Sequence, residues 1–120
     1  MTNEELKTFI QNCIEKQVKI PKPQGETFIT KIGYTSIDRK KQLGFQYTVG
    51  ADRKKYVTFD TLYKAYEQIL ESGQFSREWY NKTFPIESSR NPCNFTTIGG
   101  IFVQLKIVYY DSTGLYKKVM

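Results

Sequence analysis

The spacing of hydrophobic residues changes twice along this chain of 120 residues, and that change restricts the folds open to it. Residues 3–18 carry apolar side chains at the spacing of one helical face, whereas residues 43–49 alternate apolar with polar side chains as a half-buried strand does. A helical spacing returns at residue 58. The pattern predicts an α+β fold, and the length suits a single domain covering residues 1–120.

Residues 1–57 are predicted to form a helix followed by a three-stranded antiparallel meander. Pro21 and Pro23 end the helix in an extended connection, because proline fixes its own backbone and disfavours helical geometry in the residue before it. The strands are expected at about residues 28–34, at residues 43–49 and around Val57 and Phe59. Turn-forming residues separate the strands at Ser36–Ile37–Asp38 and at Gly50–Ala51–Asp52.

Residues 58–120 are predicted to form three helices and a hairpin. Thr58 or Asp60 caps the first helix, and Gly73 ends it in the left-handed conformation. Its apolar stripe consists of Leu62, Tyr66, Ile69 and Leu70. Ser76 caps a second helix that ends near Phe84, and residues 85–95 are expected to be a loop. The hairpin turns at Asp111–Ser112–Thr113–Gly114.

The segment from Thr96 to Lys106 fits two structures. As a helix it places Ile98, Ile101, Phe102 and Leu105 on an inward face and presents Gly100 outward. As a strand it alternates β-branched residues, and Gly99 and Gly100 precede it instead of costing a helix about 1 kcal/mol each. We expect the helix, because the two preceding helices need a third to cover their apolar faces, and the strand is the alternative.

The order of three helices and a tyrosine-rich hairpin, with Ile101-Phe102-x-x-Leu105 in the third helix, makes residues 58–119 resemble a winged helix-turn-helix domain. In such domains the third helix usually enters the major groove of DNA, and the hairpin, or wing, contacts the backbone. The resemblance implies that bases or nearby phosphates are contacted by Thr96, Thr97, Gln104 and Lys106. It implies that the wing carries Lys117 and Lys118.

The net charge of +6 favours a polyanionic partner such as nucleic acid. The tetrapeptide Asp-Arg-Lys-Lys occurs at residues 38–41 and again at residues 52–55, in two predicted turns at opposite ends of one strand. One compact patch therefore cannot include both. From the second turn, Arg53, Lys54 and Lys55 are candidate phosphate contacts. Arg90 is another, because it lies in a loop just before a helix N-terminus.

Several function classes lack the residues they require. The chain has no histidine, which excludes histidine bases and histidine metal sites, and no glycine-rich loop is followed by Lys-Ser or Lys-Thr. We therefore expect no enzyme activity, no metal and no cofactor. Cys13 and Cys93 fit no metal or redox spacing and are expected to be free thiols. Without a signal peptide or a long apolar run, a cytoplasmic protein that does not enter membranes is expected.

These features predict a small basic DNA-binding module, of the kind that serves as a regulator in phages and mobile elements. Its loop and wing cations would contact the phosphates of double-stranded DNA. The alternative is a protein-binding inhibitor or adaptor, such as a phage anti-CRISPR or another anti-defence protein, whose partner would be an acidic protein. The oligomeric state stays open.

Overall fold

The computed structural model describes residues 1–50 and 52–119. Its N-terminal half runs in the order α1 (Asn3–Glu15), β1 (Lys19–Lys22), β2 (Gly25–Ile37), β3 (Lys40–Val49) and β4 (Arg53–Thr58). Its C-terminal half runs in the order α2 (Phe59–Ser72), β5 (Gln74–Ser76), α3 (Arg77–Thr83), α4 (Pro85–Arg90), α5 (Asn94–Gln104), β6 (Val108–Ser112) and β7 (Leu115–Lys118). The predicted α+β class is confirmed.

The N-terminal sheet has four antiparallel strands in the order β1-β2-β3-β4, one more than predicted. The extra strand is β1, whose Ile20 and Pro21 lie opposite Thr27 and Glu26 of β2. We expected this stretch to be an extended connection because of its prolines. Since β1 is an edge strand, Pro21 needs no hydrogen-bond donor on its free side, and the strand tolerates it.

The β2–β3 hairpin shows that both basic tetrapeptides were assigned too fully to turns. Its connection is only Asp38 and Arg39, both with positive φ (51° and 66°), while Lys40 and Lys41 already belong to β3. Residues 53–55 belong to β4. Of the other predicted turn, Gly50–Ala51–Asp52, the middle residue lies outside the described residues. The cations of both tetrapeptides are therefore held mainly on strands.

The segment predicted as a loop at residues 85–95 contains helix α4 and the start of α5. Pro85 occupies the first turn of α4, where its fixed φ suits the helix and its missing N–H removes no bond. The expectation of a loop in this segment was therefore wrong. In the second sheet, β5 pairs with β7 and β7 pairs with β6, so the hairpin lies beside the short strand that precedes α3.

Helix α2 matches its prediction except at one position. The Thr58 side chain accepts a hydrogen bond from the Thr61 amide, and Gly73 adopts φ 78° at the other end. Leu70, however, is 50% exposed and does not belong to the buried stripe. Ala65, which the sequence places beside this stripe, is fully buried, because residues three and four apart share a helical face and Ala65 lies between Leu62 and Ile69.

The segment from Thr96 to Lys106, which fitted either a helix or a strand, lies mostly in helix α5. Its two glycines face neighbouring elements at short distance. A β-carbon on Gly100 would lie 2.1 Å from the Pro21 carbonyl oxygen, and one on Gly99 would lie 2.2 Å from the Tyr116 ring. The prediction that Gly100 faces outward was therefore wrong. Both glycines allow α5 to approach β1 and β7 more closely than any other residue would.

An aromatic cluster holds α3, α5 and the second sheet together. The rings of Phe75 and Phe95 stack with centroids 4.7 Å apart, and Tyr80 and Tyr116 pack around them. Trp79 is half-buried at its edge, 5.8 Å from Phe75. Within the described residues, no helix combines the length and apolar character that crossing a bilayer requires.

We predict that Gly100→Ala destabilises the fold by about 1–3 kcal/mol, because the added methyl group would overlap the Pro21 carbonyl. Urea unfolding followed by circular dichroism measures this change. Gly33→Ala is the matched control, since nothing lies within 4 Å of a β-carbon there, and it should shift the unfolding free energy by less than about 0.5 kcal/mol. Equal effects of the two substitutions would contradict the close approach of α5 to β1.

Candidate anion-binding cleft

The sequence-predicted site residues differ in how far they are exposed. Thr97 is fully buried, so its implied contact with nucleic acid is corrected. Its environment explains the burial, because α5 packs its Thr97 and Gly100 side against β1. Of the remaining predictions, Thr96 and Lys55 are half-buried, whereas Arg90, Gln104, Lys106, Lys118, Arg53 and Lys54 are exposed. Lys117 is half-buried and pairs with Asp111 at 3.7 Å.

The structure instead brings two other cations together in a cleft of about 420 Å³. The cleft lies where the β1–β2 turn, the end of β3, the first turns of α3 and α5, and the β6–β7 turn meet. Lys22 and Arg77 are its basic side chains. Its hydroxyl groups belong to Thr27, Thr48, Thr96, Tyr110 and Thr113.

Lys22 is held in place from within the protein. Its Nζ donates a hydrogen bond to Thr97 Oγ1 at 3.1 Å and lies 5.5 Å from the centroid of the Tyr47 ring. Burial lowers the pKa of Lys22, Cys93 opposes this effect, and the nearby charges of Lys55 and Arg77 lower it further. The last effect indicates that Lys55 and Arg77 are both close enough to Lys22 to repel its charge.

Arg77 is held just as firmly. Its Nη1 donates to the Pro92 carbonyl oxygen at 3.1 Å, and its guanidinium lies 4.6 Å from the centroid of the Phe95 ring. Its backbone amide donates to the Gly114 carbonyl oxygen at 2.9 Å, which ties the first turn of α3 to the β6–β7 turn. A planar guanidinium fixed in this way loses little side-chain entropy when it binds an anion.

The cleft contains more positive charge than its carboxylates balance. Glu26 is the acidic residue of its lining, and it already forms an exposed pair with Lys19 at 3.7 Å. Over residues 1–50 and 52–119, neither Lys22 nor Arg77 lies within 4 Å of a carboxylate. Half-buried cations without a carboxylate partner can accept an oxyanion such as phosphate.

Buried hydrogen bonds behind the cleft fix α5 to the N-terminal sheet. The Tyr47 hydroxyl donates to Asn94 Oδ1, and Asn94 Nδ2 donates to the Tyr56 carbonyl oxygen at 2.9 Å. Burial is the main cause that raises the pKa of Tyr47 far above its ordinary value, so its hydroxyl keeps its proton. The neutral network supports the charged cleft without cancelling its charge.

Sequence reasoning missed Lys22 and Arg77 because they are 55 positions apart. The sequence around Lys22 contains a feature that could have marked it as a candidate. Lys22 lies between Pro21 and Pro23, which restrict the backbone from which its side chain projects. The sequence around Arg77 contains no such feature, because an arginine after a helix cap is usually exposed. Only the packing of α3 against the hairpin turn brings it into the cleft.

Comparison of the chain with protein-family models, with curated proteins and with solved structures gave no match. The resemblance to winged helix-turn-helix domains therefore stays a prediction.

We predict that inorganic pyrophosphate binds in this cleft. In a ¹⁵N NMR titration, the amides of Thr96 and Gly114 should shift together and saturate, because both residues line the cleft. Lys22→Gln should weaken binding at least several-fold, since a charge-assisted bond contributes about 1.5–3 kcal/mol. Lys82→Gln, which removes an exposed cation outside the cleft lining, should leave the affinity unchanged. Shifts scattered over all basic surfaces would contradict the site.

Proposed function

We propose that this protein binds double-stranded DNA through its phosphate backbone, with the Lys22–Arg77 cleft at the centre of the interface. One observation carries the proposal: two ordered, half-buried cations converge without a carboxylate to neutralise them. Leaving such charges unpaired costs folding free energy, and a polyanionic ligand recovers that cost on binding.

The strand beside the cleft extends the positive surface. In the β3–β4 register Lys55 lies opposite Tyr47 and Arg53 lies opposite Val49. Thr48 and Val49 both line the cleft, so the register alone assigns neither Lys54 nor Arg53 to it. The charge of Lys55, in contrast, lowers the pKa of Lys22, which indicates that Lys55 lies near the cleft cations. Of the three predicted cations of this tetrapeptide, Lys55 therefore supports the proposed interface.

The exposed surface of α5 bears on whether DNA would be bound with or without sequence specificity. A recognition helix must present a free face to base edges, but in α5 only Thr96, Val103 and Gln104 are not buried. Contacts to phosphate carry no sequence information directly. The proposal is therefore sequence-independent binding, in which Tyr110, 41% exposed at the cleft, adds an aromatic surface.

Fluorescence anisotropy with a labelled random duplex tests this function. The affinity should fall steeply with salt, and in Lys22→Gln/Lys55→Gln the slope of log K against log salt should decrease by about 2, because each phosphate contact contributes about 0.9. The control Lys16→Gln/Lys82→Gln removes the same charge from exposed positions outside the cleft lining. Its slope should change much less, and thermal unfolding checks that both variants fold.

No binding at low salt would overturn the proposal. The unpaired cations would then be available to an acidic protein, which is the partner of the inhibitor or adaptor alternative. Equal losses in the two double variants would also count against the cleft, because they would show that binding follows net charge and not position.

A further inference from the structure

A second cleft, of about 400 Å³, lies between the β2–β3 hairpin and helices α2 and α4. Its lining combines an apolar part with polar and charged side chains, and one acid among them is deeply buried. The apolar part consists of Ile37, Phe84, Pro85 and Ile86. The acid is Glu87, which is only 4% exposed. A buried carboxylate is costly unless a cation or several hydrogen-bond donors compensate it.

The two oxygens of this carboxylate differ. Glu87 Oε2 accepts a hydrogen bond from Thr61 Oγ1 at 2.7 Å. Because that bond uses the hydroxyl hydrogen of Thr61, the 2.8 Å contact between Thr58 Oγ1 and Thr61 Oγ1 must have Thr58 as its donor. The hydroxyl chain is thus oriented toward Glu87 Oε2. Glu87 Oε1, in contrast, is buried and has no hydrogen-bond partner in the described part of the chain.

No cation neutralises Glu87 within residues 1–50 and 52–119. Lys64 lines the same cleft, but it pairs with Asp60 at 3.2 Å and lies 5.8 Å from the Phe84 ring centroid. Lys40 lines the cleft from the hairpin together with Asp38, and it forms no ion pair with Glu87. The site is therefore incomplete: one carboxylate oxygen of a residue that lines the cleft is desolvated and unpartnered.

We propose that this cleft binds the ammonium group of an alkylamine, with Glu87 Oε1 accepting its hydrogen bond. The apolar side chains of Ile37, Phe84 and Ile86 would then enclose the alkyl chain. Since Oε1 is covered, the carboxylate must turn about χ3, which is a broad torsion in glutamate. The amine is either a free small molecule or the side chain of a lysine, because both present the same chemistry.

A proton competes with the ammonium group for this carboxylate. Burial is the main cause that raises the pKa of Glu87, the hydrogen bond from the Thr61 hydroxyl and the nearby Thr58 backbone oppose it, and Asp60 adds to it. Tyr80 of α3 is also affected by this carboxylate. Burial is the main cause that raises the pKa of Tyr80, and the charge of Glu87 is the second cause. The amine should bind more weakly as the pH falls through the pKa of Glu87 in the folded protein.

The probes are n-butylammonium, its neutral isostere n-butanol, and N-acetyl-lysine methylamide. In an NMR titration of the full chain, n-butylammonium should bind saturably, shift the Thr61 and Glu87 amides, and bind at least ten-fold more tightly than n-butanol. Similar binding of the lysine derivative identifies a lysine side chain as an equally suitable ligand, and its failure identifies a free amine. Failure of both amines, or equal binding of n-butanol, would overturn the proposal.

Glu87→Gln removes the charge while its amide oxygen can still accept the Thr61 hydrogen bond, and it should abolish n-butylammonium binding. Glu78→Gln is the matched control, because Glu78 is an exposed carboxylate on α3 and does not line this cleft. Unchanged binding in Glu87→Gln, or equal loss in both variants, would contradict the site. The wild-type pH profile provides a test that needs no variant, and pH-independent affinity between pH 4 and 8 would also overturn it.

The same carboxyl group predicts how stability depends on pH. Because its pKa is raised on folding from 4.5, the folded state holds the proton more tightly than the unfolded state does. This contribution is complete below pH 4.5 and is lost as the pH rises through the folded-state pKa. Glu87→Gln should therefore raise Tm at pH 7 but not at pH 4, as thermal unfolding at the two values will show. A lower Tm at pH 7 would contradict the unpaired carboxylate.

Discussion

The close packing of α5 against the edge strand β1 is the contact on which the rest of the structure depends. It is possible only because residue 100 is glycine, since a β-carbon there would lie 2.1 Å from the Pro21 carbonyl oxygen. Thr97 is one helical turn before Gly100, on the same side of α5, and it holds the Nζ of Lys22 at 3.1 Å. The residues that let helix and strand meet therefore also place the first cation of the cleft.

The two clefts carry opposite charges, and each is left uncompensated inside the described structure. Lys22 and Arg77 lack carboxylates, whereas Glu87 lacks a cation. Natural folds usually pair such groups, because an unpaired charge withdrawn from solvent costs folding free energy. Their separation on different sides of one small core is consistent with two ligands: a polyanion at the first cleft and a small cation at the second. Exposed cations elsewhere on the chain carry no comparable cost and therefore indicate less.

Residue spacing predicted the elements well and the site poorly. The caps at Thr58 and Gly73, the alternation of residues 43–49 and the helical character of α5 depend on neighbours in sequence, which a periodic pattern records. The extended connection expected at Pro21 and the loop expected from residue 85 were wrong, because a proline's effect depends on whether its missing N–H faces a partner. Lys22, Arg77 and Glu87 acquire their properties from contacts distant in sequence. No local pattern distinguishes them from exposed charges.

The most direct test of the cationic cleft is an NMR titration of the Lys22 ammonium group, observed through its side-chain carbon-13 signals. Burial and the charges of Lys55 and Arg77 should hold its pKa below the ordinary lysine value of 10.5, and the pKa should rise in a Lys55→Gln variant. A pKa at or above 10.5, unchanged by that substitution, would mean that solvent or a carboxylate already compensates Lys22. In that case the cleft would not be the unpaired cationic centre that an anion completes.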